Sequence, residues 1–438
     1  MSSTTSLAQT YQKKTDKEHV LDNPDTYTGS MEMTDTETFV FNEEQNCFDK
    51  KTFEMIPGLY KLFDEAIVNC RDHAVRMENA MFMCKPNTIP LKYIDVSISD
   101  DGVFTFVNDG NGIDIAEHPD YNLWIPEMIF FHLRTGTNYN KSEKKIVGGK
   151  NGFGVKLIFI WSEFGYIETI DHVRQLKYTQ KCSDNLNVIE KPVVKKCRTK
   201  PYTKIVFKPD YKRLGISGLT KDMIALLKRR IYDIAAVTSK QVSVKLNSSP
   251  ISVKHFQQYV DMYIGPKSDT KRVYEIGSER WEYGVSLSPS DEFQQVSFVN
   301  GIYTGKGGKH VDYILNQIVR KLTAYISKKK KIDVKSTSIK EQLFLFLRCD
   351  VVNPGFDSQT KEYLTTAVSK FGSKIEVSDK FVEKIAKMGV MDKACDLTAV
   401  KQNNNAKKTD GAKSKCVRGI PKLVDANYAG TKHSHECT

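Results

Sequence analysis

The sequence predicts an α+β protein made of two α/β modules in tandem, and three observations carry that prediction. A helix-spaced apolar pattern from Pro57 to Ala74 leads into an alternating hairpin and then a loop with four glycines between Gly148 and Gly154. Beyond residue 245 a second unit places a long amphipathic helix between two apolar strands. The 438 residues, 40% hydrophobic and 27% charged, have the size and composition of two or three globular domains.

Taken in order, residues 1–12 read as a loose arm, followed by the turn-rich DNPDTYTGS. The stretch PGLYKLFDEAIVNCRDHA, 57–74, predicts a helix: Pro57 suits its first position, and Leu59, Leu62, Phe63, Ala66, Ile67, Cys70 and Ala74 line one stripe. YIDVSIS and VFTFVND alternate about DDG, the pattern of a hairpin. The glycine loop, 148–154, precedes an apolar run. Alternating segments such as TKIVFKPD and a basic helix near 220–237 complete a first module, 13–250. In the second, 251–402, short strands lead to a helix striped by Val311, Ile314, Leu315, Ile318, Val319, Leu322 and Ile326, and EQLFLFLRCDV returns as a strand. Strand, helix, strand in that order predicts a crossover connection. Polar, low-complexity sequence then makes 403–438 a linker.

Composition narrows the class of function. No apolar run approaches a membrane span, and MSSTTSLAQTYQKK lacks the apolar core of a secretion signal, so no membrane partner is expected. Nine cysteines without a CxxC pair speak against a zinc site or a disulfide framework and for a reducing compartment. The excess of 65 Lys+Arg over 53 Asp+Glu, net +12, favours a polyanionic partner such as nucleic acid.

The chemical signal begins on the first helix. Glu65, Asn69 and Asp72 stand at i, i+4 and i+7, opposite the apolar stripe. Such a row is either a solvated face or a set of oxygen donors brought to one side. VNDGNGI, 107–113, adds a polar pair and two glycines at a strand end. The glycine loop taken alone reads as a phosphate cradle or as a flexible lead into a buried segment. Together these supply a carboxylate to activate water, an amide oxygen for Mg2+ and backbone N–H groups for phosphate, a nucleotide-hydrolysing set. The P-loop pattern is absent: GIYTGKG, from Gly301, has three residues between its first glycines and no Ser or Thr after the lysine.

FDEAIVNCRDH, NDGNGI and GGKNGFGVK resemble the nucleotide-binding motifs of the GHKL ATPases. YQKKT, PDTYTGS, PGLYKLFDE, QQVSFVNGIYTGKGGKHVDYI, NPGFDSQTKE and IPKLVDANYAGTKHSHECT narrow this, over essentially the whole chain, to type II DNA topoisomerases of eukaryotic kind. The resemblance implies a GHKL (Bergerat) α/β sandwich followed by a transducer domain of ribosomal-S5-like α/β fold, with the linker leading to a TOPRIM domain outside this chain. Lys150, Phe153, Val155 and His73 depart from the cellular pattern of Arg, Tyr, Ala and Asn, as in a divergent member of the kind carried by large cytoplasmic DNA viruses. A cellular member would work in the nucleus and a viral one in the host cytoplasm. A MutL-like repair ATPase and a non-catalytic DNA-binding scaffold are the alternatives.

Residue roles follow from the same resemblance. Glu65 is the expected general base, and Asn69 the Mg2+ ligand, with Asp72 supporting from the same face. Asn108 matches the adenine-recognising position, with Gly110 and Gly112 shaping the turn and Ile113 also at the nucleotide, and Gly136, Thr137 and Asn138 match a turn near the ribose and phosphates. Gly149, Lys150, Asn151, Gly152, Phe153, Gly154, Val155 and Lys156 form a lid over the ATP phosphates. Gln359 and Lys361 reach the γ-phosphate from the second domain. Tyr11 crosses to the partner subunit when ATP closes a homodimeric N-terminal gate. Lys328, Lys329, Lys330 and Lys331 face double-stranded DNA.

Overall fold

The chain enters through helix α1 (Asp16–Asp22), held by a reciprocal capping box between Thr15 and Glu18. An antiparallel hairpin that the sequence reading did not anticipate comes next, β1 (Thr34–Asn42) with β2 (Cys47–Met55). The computed structural model describes residues 11, 13–135, 145–149 and 152–399.

Helix α2 (Pro57–Phe82) starts at the expected proline but runs beyond Ala74. The apolar stripe ends there, whereas Arg76, Met77, Glu78, Ala80 and Met81 are good helix formers and no breaker intervenes before Pro86. The extension is exposed, Phe82 at 88%. Phe63 of α2 packs edge-on against Phe104 and Phe106 of the sheet below, at 5.3 and 5.1 Å between ring centroids.

That sheet has nine strands. Chain order supplies β3 (Tyr93–Ile98), β4 (Phe104–Asp109), helix α3 (Ile125–Phe131), helix α4 (Gly154–Ile160), then β5 (Ser162–Asp171), β6 (Leu176–Ser183), β7 (Val188–Ile189), β8 (Val193–Lys196) and β9 (Tyr202–Pro209). Helix α5 (Lys221–Val237), β10 (Ser243–Leu246) and β11 (Ser249–Pro250) complete the module. The order across the sheet is β11-β10-β3-β4-β9-β5-β6-β7, with β8 on β6. Every pairing is antiparallel except β10 with β3.

The second module opens with helix α6 (Phe256–Ile264), where short strands were expected. Phe256, Tyr259, Val260 and Met262 are buried on it, and its Tyr263 packs at 5.5 Å from Phe346 of the second sheet. Five strands build that sheet in the order β12-β13-β17-β14-β15: β12 (Arg272–Ser278), β13 (Trp281–Leu287), β14 (Gln294–Val299), β15 (Ile302–Tyr303) and β17 (Leu343–Cys349). A ribbon strand β16 (Gly307–Gly308), helix α7 (Lys309–Lys330) and helix α8 (Ser336–Lys340) lie between β15 and β17. β14 and β17 pair in parallel across α7, the expected crossover. β18 (Tyr363–Leu364) pairs with β16, and helix α9 (Asp379–Ile385) follows. Val296, Phe298, Phe344 and Phe346 of the second sheet join the core of the first module.

Candidate functional site

The predicted row on α2 is not a solvated face: Glu65 is 5% and Asp72 0% exposed. α2 is a central helix covered on both sides, so its polar residues are buried and must find partners.

Glu65 Oε1 receives two ammonium groups. Lys361 Nζ donates at 2.8 Å, and Lys61 Nζ, one turn earlier on α2, lies 3.0 Å away. Burial pushes the Glu65 carboxyl upward, but Lys361 and then Lys61 overcome that and hold it below its ordinary range. Glu65 Oε2 faces Gly154: a Cβ there would stand 2.0 Å from it. The Glu65 carboxylate and the first residue of α4 are therefore in contact, and only glycine fits there.

Lys361 sits in the loop ahead of β18 in a left-handed conformation, φ 63°, and is 4% exposed. Gln359, half-buried, lies in the same loop.

Asn69 donates its Nδ2 to the Glu65 carbonyl at 2.7 Å. That bond assigns the amide's nitrogen and leaves Oδ1 as its acceptor, the hard donor a divalent cation takes. Asp72 accepts from the backbone N–H groups of Gly148 (2.9 Å) and Gly149 (2.8 Å), one on each carboxylate oxygen. Its carboxyl is nevertheless shifted upward by burial. Asp72 therefore fixes the start of the glycine loop.

Downstream, Gly152 has φ 69°, and Phe153 packs edge-on with Tyr27 at 5.9 Å between centroids. Val155 is half-buried. Lys156, 2% exposed, donates Nζ to the Thr135 carbonyl at 2.6 Å, and burial lowers its ammonium to about 8. Lys150, Asn151, Gly136, Thr137 and Asn138 lie outside the described residues.

At the end of β4, Asn108 is 6% exposed and donates to the Asp109 carbonyl. The turn beyond rests on β5: Ile113 N donates to Thr169 Oγ1 at 3.0 Å, and a Cβ on Gly112 would meet the Ile170 carbonyl oxygen at 1.9 Å. On its other side Gly110, φ 88°, stands next to His73 of α2, whose imidazole burial lowers to about 4.

Two predicted groups stand apart from this cluster. Tyr11 is 76% exposed. Lys328–Lys331 form an exposed run at the end of α7, where Lys330 pairs with Asp392 at 3.3 Å and Lys331 closes the helix at φ 56°.

Sequence reasoning missed the stitching between modules. Arg71 Nη2 binds Asp350 at 2.9 Å, Asn300 Nδ2 donates to the Val147 carbonyl at 3.2 Å, and Lys145 and Asn353 exchange two bonds. It also missed Lys61, Asp64 and Arg230. The spacing K-x-x-D-E on a helix was the available signal for the first two, since i, i+3 and i+4 share a face.

A family model described as DNA gyrase B matches residues 241–414. The chain is 40% identical over 456 residues to DNA topoisomerase 2 of Candida glabrata, covering 100% of this chain and 31% of that protein. It is 41% identical over 441 residues to DNA topoisomerase 2 of Acanthamoeba polyphaga mimivirus, covering 99% of this chain and 34% of that protein. It thus spans about a third of the length of these curated relatives. Among solved structures, the ATPase and transducer domains of DNA topoisomerase II from Balamuthia mandrillaris superpose with a TM-score of 0.82 at 36% identity, over 90% of this chain and 99% of that one.

Proposed function

The chain belongs to the DNA topoisomerase II family, matching its ATPase and transducer domains, and from that premise we propose that it is the family's ATP-driven gate, with Glu65 as general base. The observation that carries this is the Lys361–Glu65 contact at 2.8 Å, made across 296 residues and between modules. A lysine on one module that reaches the base on the other is placed to sense a γ-phosphate between them.

The reaction is written with this chain's groups. Glu65, ionised, takes a proton from water as the water oxygen bonds to the γ-phosphorus. The bond from that phosphorus to the bridging oxygen breaks, and ADP and inorganic phosphate leave. Lys361 moves from Glu65 to the γ-phosphoryl oxygens and offsets their developing charge. Asn69 Oδ1 fits Mg2+, which keeps few protein ligands and neutralises phosphate charge when bound. Asn108 and the turn to Ile113 hold adenine, Gly136–Asn138 hold ribose and phosphate, and Gly149–Lys156 close over the phosphates, anchored through Asp72.

In the whole enzyme this gate would dimerise through the arm bearing Tyr11 and pass one DNA duplex through another, with Lys328–Lys331 against the phosphate backbone. The DNA-cleaving residues and the TOPRIM domain beyond the 403–438 linker would lie elsewhere in the longer protein. We place the module boundary near residue 250, and the working location in the nucleus for a cellular member or the host cytoplasm for a viral one. A MutL-like function has no support, given matches to DNA topoisomerase 2 over essentially the whole chain.

The test compares ATP turnover of this chain with Glu65→Ala, alongside sizing with a non-hydrolysable ATP analogue. Loss of turnover in the variant, with analogue-induced dimerisation retained, is expected. Equal turnover in both would remove Glu65 as the base.

A further inference from the structure

The positive charge of the chain is not spread evenly. Between Leu176 and Pro209 stand nine Lys and Arg against two Asp and Glu, an excess that is more than half of the net +12. The segment is β6 to β9, one end of the nine-stranded sheet, and it lies far in sequence from Lys328–Lys331. We propose that the solvent face of this end of the sheet is a contact surface for double-stranded DNA, distinct from the one placed at Lys328–Lys331 and made through the phosphate backbone.

The strand register brings the lysines together. Lys195 of β8 stands directly across from Lys177 of β6. Lys204 of β9 stands across from Glu168 of β5, which is itself across from Thr179 of β6. On β6, Lys177, Thr179 and Lys181 alternate with the buried Tyr178, Gln180 and Cys182, so Lys177, Lys181, Lys195 and Lys204 share the face turned away from the core. Lys191, Lys196 and Lys200 are exposed at its rim. With strands ~4.8 Å apart and ~3.4 Å per residue, the patch measures roughly 15 Å each way.

These charges are available. Glu168 takes Lys177 at 2.8 Å, and Glu163 takes Lys208 at 3.7 Å. Among the described residues no carboxylate pairs with Lys181, Lys191, Lys195, Lys196, Lys200 or Lys204.

Lysines on an exposed edge strand also guard against pairing with another chain. That role fits Lys195 and Lys196 on β8, whose outer edge carries no strand among the described residues. It does not explain Lys181 or Lys204, because β6 and β9 are interior strands, nor Lys191 and Lys200, which lie outside the strands. Like charges directly across a ladder destabilise it, so Lys195 opposite Lys177 serves an anionic partner better than it serves the sheet.

The form of the patch selects a duplex. Double-stranded DNA carries one charge per ~1.7 Å of axis, so about 15 Å of it presents about nine charges to the six free lysines. Single-strand sites offer aromatic rings on which bases stack. Here the neighbouring rings of Tyr166 and Tyr202 are half-buried, with their hydroxyls held by Glu168. Contact through phosphates alone carries no sequence preference.

The test is binding of a short mixed-sequence duplex to this chain, read by fluorescence anisotropy over a range of salt. One variant combines Lys181→Gln, Lys195→Gln, Lys196→Gln and Lys200→Gln. Each lost phosphate contact lowers the slope of log affinity against log salt by about 0.9, so a slope lower by about 2–4 and an affinity lower by about tenfold or more are expected. ATP turnover without DNA should be unchanged, since none of the four touches the nucleotide site. Wild-type affinity and slope would overturn the proposal, and aggregation beside them would assign the lysines to edge protection. Should the variant aggregate too far to measure, Lys191→Gln with Lys200→Gln replaces it: a slope lower by about 1–2 is expected, and an unchanged one overturns the proposal. A second variant, with Lys328→Gln, Lys329→Gln, Lys330→Gln and Lys331→Gln, separates the two surfaces. Its duplex binding is expected to survive, weakened; complete loss would put all DNA contact on that run and overturn the proposal. Single-stranded DNA or polyglutamate bound by the wild type as tightly as the duplex would overturn the assignment to a duplex.

Discussion

Gly154→Ala isolates the contact between Glu65 and the start of α4. The added Cβ would stand 2.0 Å from Glu65 Oε2, 2.8 Å from its Cδ and 3.3 Å from its Cγ. Carbon–oxygen contacts settle near 3.3 Å, so the carboxylate or the start of α4 must shift by roughly 1.3 Å. The carboxylate cannot swing freely, because Oε1 is held by Lys361 and Lys61 at 2.8 and 3.0 Å. A misplacement of about 1 Å costs about 100-fold in rate, so kcat for ATP should fall by about that factor. Stability should fall by less than the overpacking cost of ~1–3 kcal/mol, because replacing glycine in a helical turn returns about 0.4–1 kcal/mol. The assay is steady-state ATP turnover with a thermal melt in parallel. A well-folded variant with wild-type kcat would refute the reasoning, since it would mean that the position of Glu65 does not limit turnover.

Three further outcomes follow from the same geometry. Gly112→Ala sets a Cβ 1.9 Å from the Ile170 carbonyl oxygen, a backbone atom of β5 that cannot rotate away; a loss of ~1–3 kcal/mol or more in denaturant melts is expected, and an unchanged midpoint would contradict it. Lys361→Met should lower kcat by about 100-fold or more and weaken binding of a non-hydrolysable ATP analogue while sparing ADP, which lacks the γ-phosphate; calorimetric titration with both nucleotides separates these, and equal losses would count against γ-phosphate sensing. Lys156, lowered to about 8 from an ordinary 10.5 by burial, is charged in folded and unfolded chains below pH 8 and neutral only in the folded chain between the two values, so its contribution to stability rises with pH across that window. Bound polyphosphate should restore its proton, so nucleotide binding at pH 9 should take up about one proton and at pH 7 almost none; calorimetry in two buffers of different ionisation enthalpy reads this, and no buffer dependence at pH 9 would exclude Lys156 from the phosphates.

Much of the fold was legible because local patterns agreed with it. The helix from Pro57, the alternating hairpin and the α7 crossover each carry a period that only one element satisfies. The misses have physical causes. α6 was hidden because its apolar residues are aromatic and β-branched, as in a strand, and because its partners, the rings on β1, β2 and β17, lie far away in sequence. The N-terminal hairpin was passed over among exposed polar residues: Glu37, Lys50 and Lys51 face solvent on it. For the site, the row Glu65, Asn69 and Asp72 was visible by spacing, but its burial was not. Along that row the helix is covered by a sheet on one side and by α4 and the second module on the other, and neither cover shows in the helix's own sequence.

The stitching explains why the second module belongs to the site at all. Asp72 holds the N–H groups of Gly148 and Gly149, and the residues just before them are bound by Asn300 and Asn353 of the second module. Arg71, the neighbour of Asp72 on α2, reaches Asp350 beside β17. Gly301 packs onto the Arg71 side chain so closely that a Cβ would meet Arg71 Cδ at 2.8 Å, while its carbonyl takes Arg230. One tight turn between β14 and β15 thus touches two arginines that bear on opposite ends of the row, Arg230 through Asp64 near Glu65 and Arg71 beside Asp72. A shift of that turn cannot leave Glu65 and the glycine loop both in place, because buried ion pairs are costly to break by one partner. Rearrangement of the second module and of the row from Glu65 to Asp72 are therefore one event mechanically, which is the property that the proposed ATP-controlled gate needs.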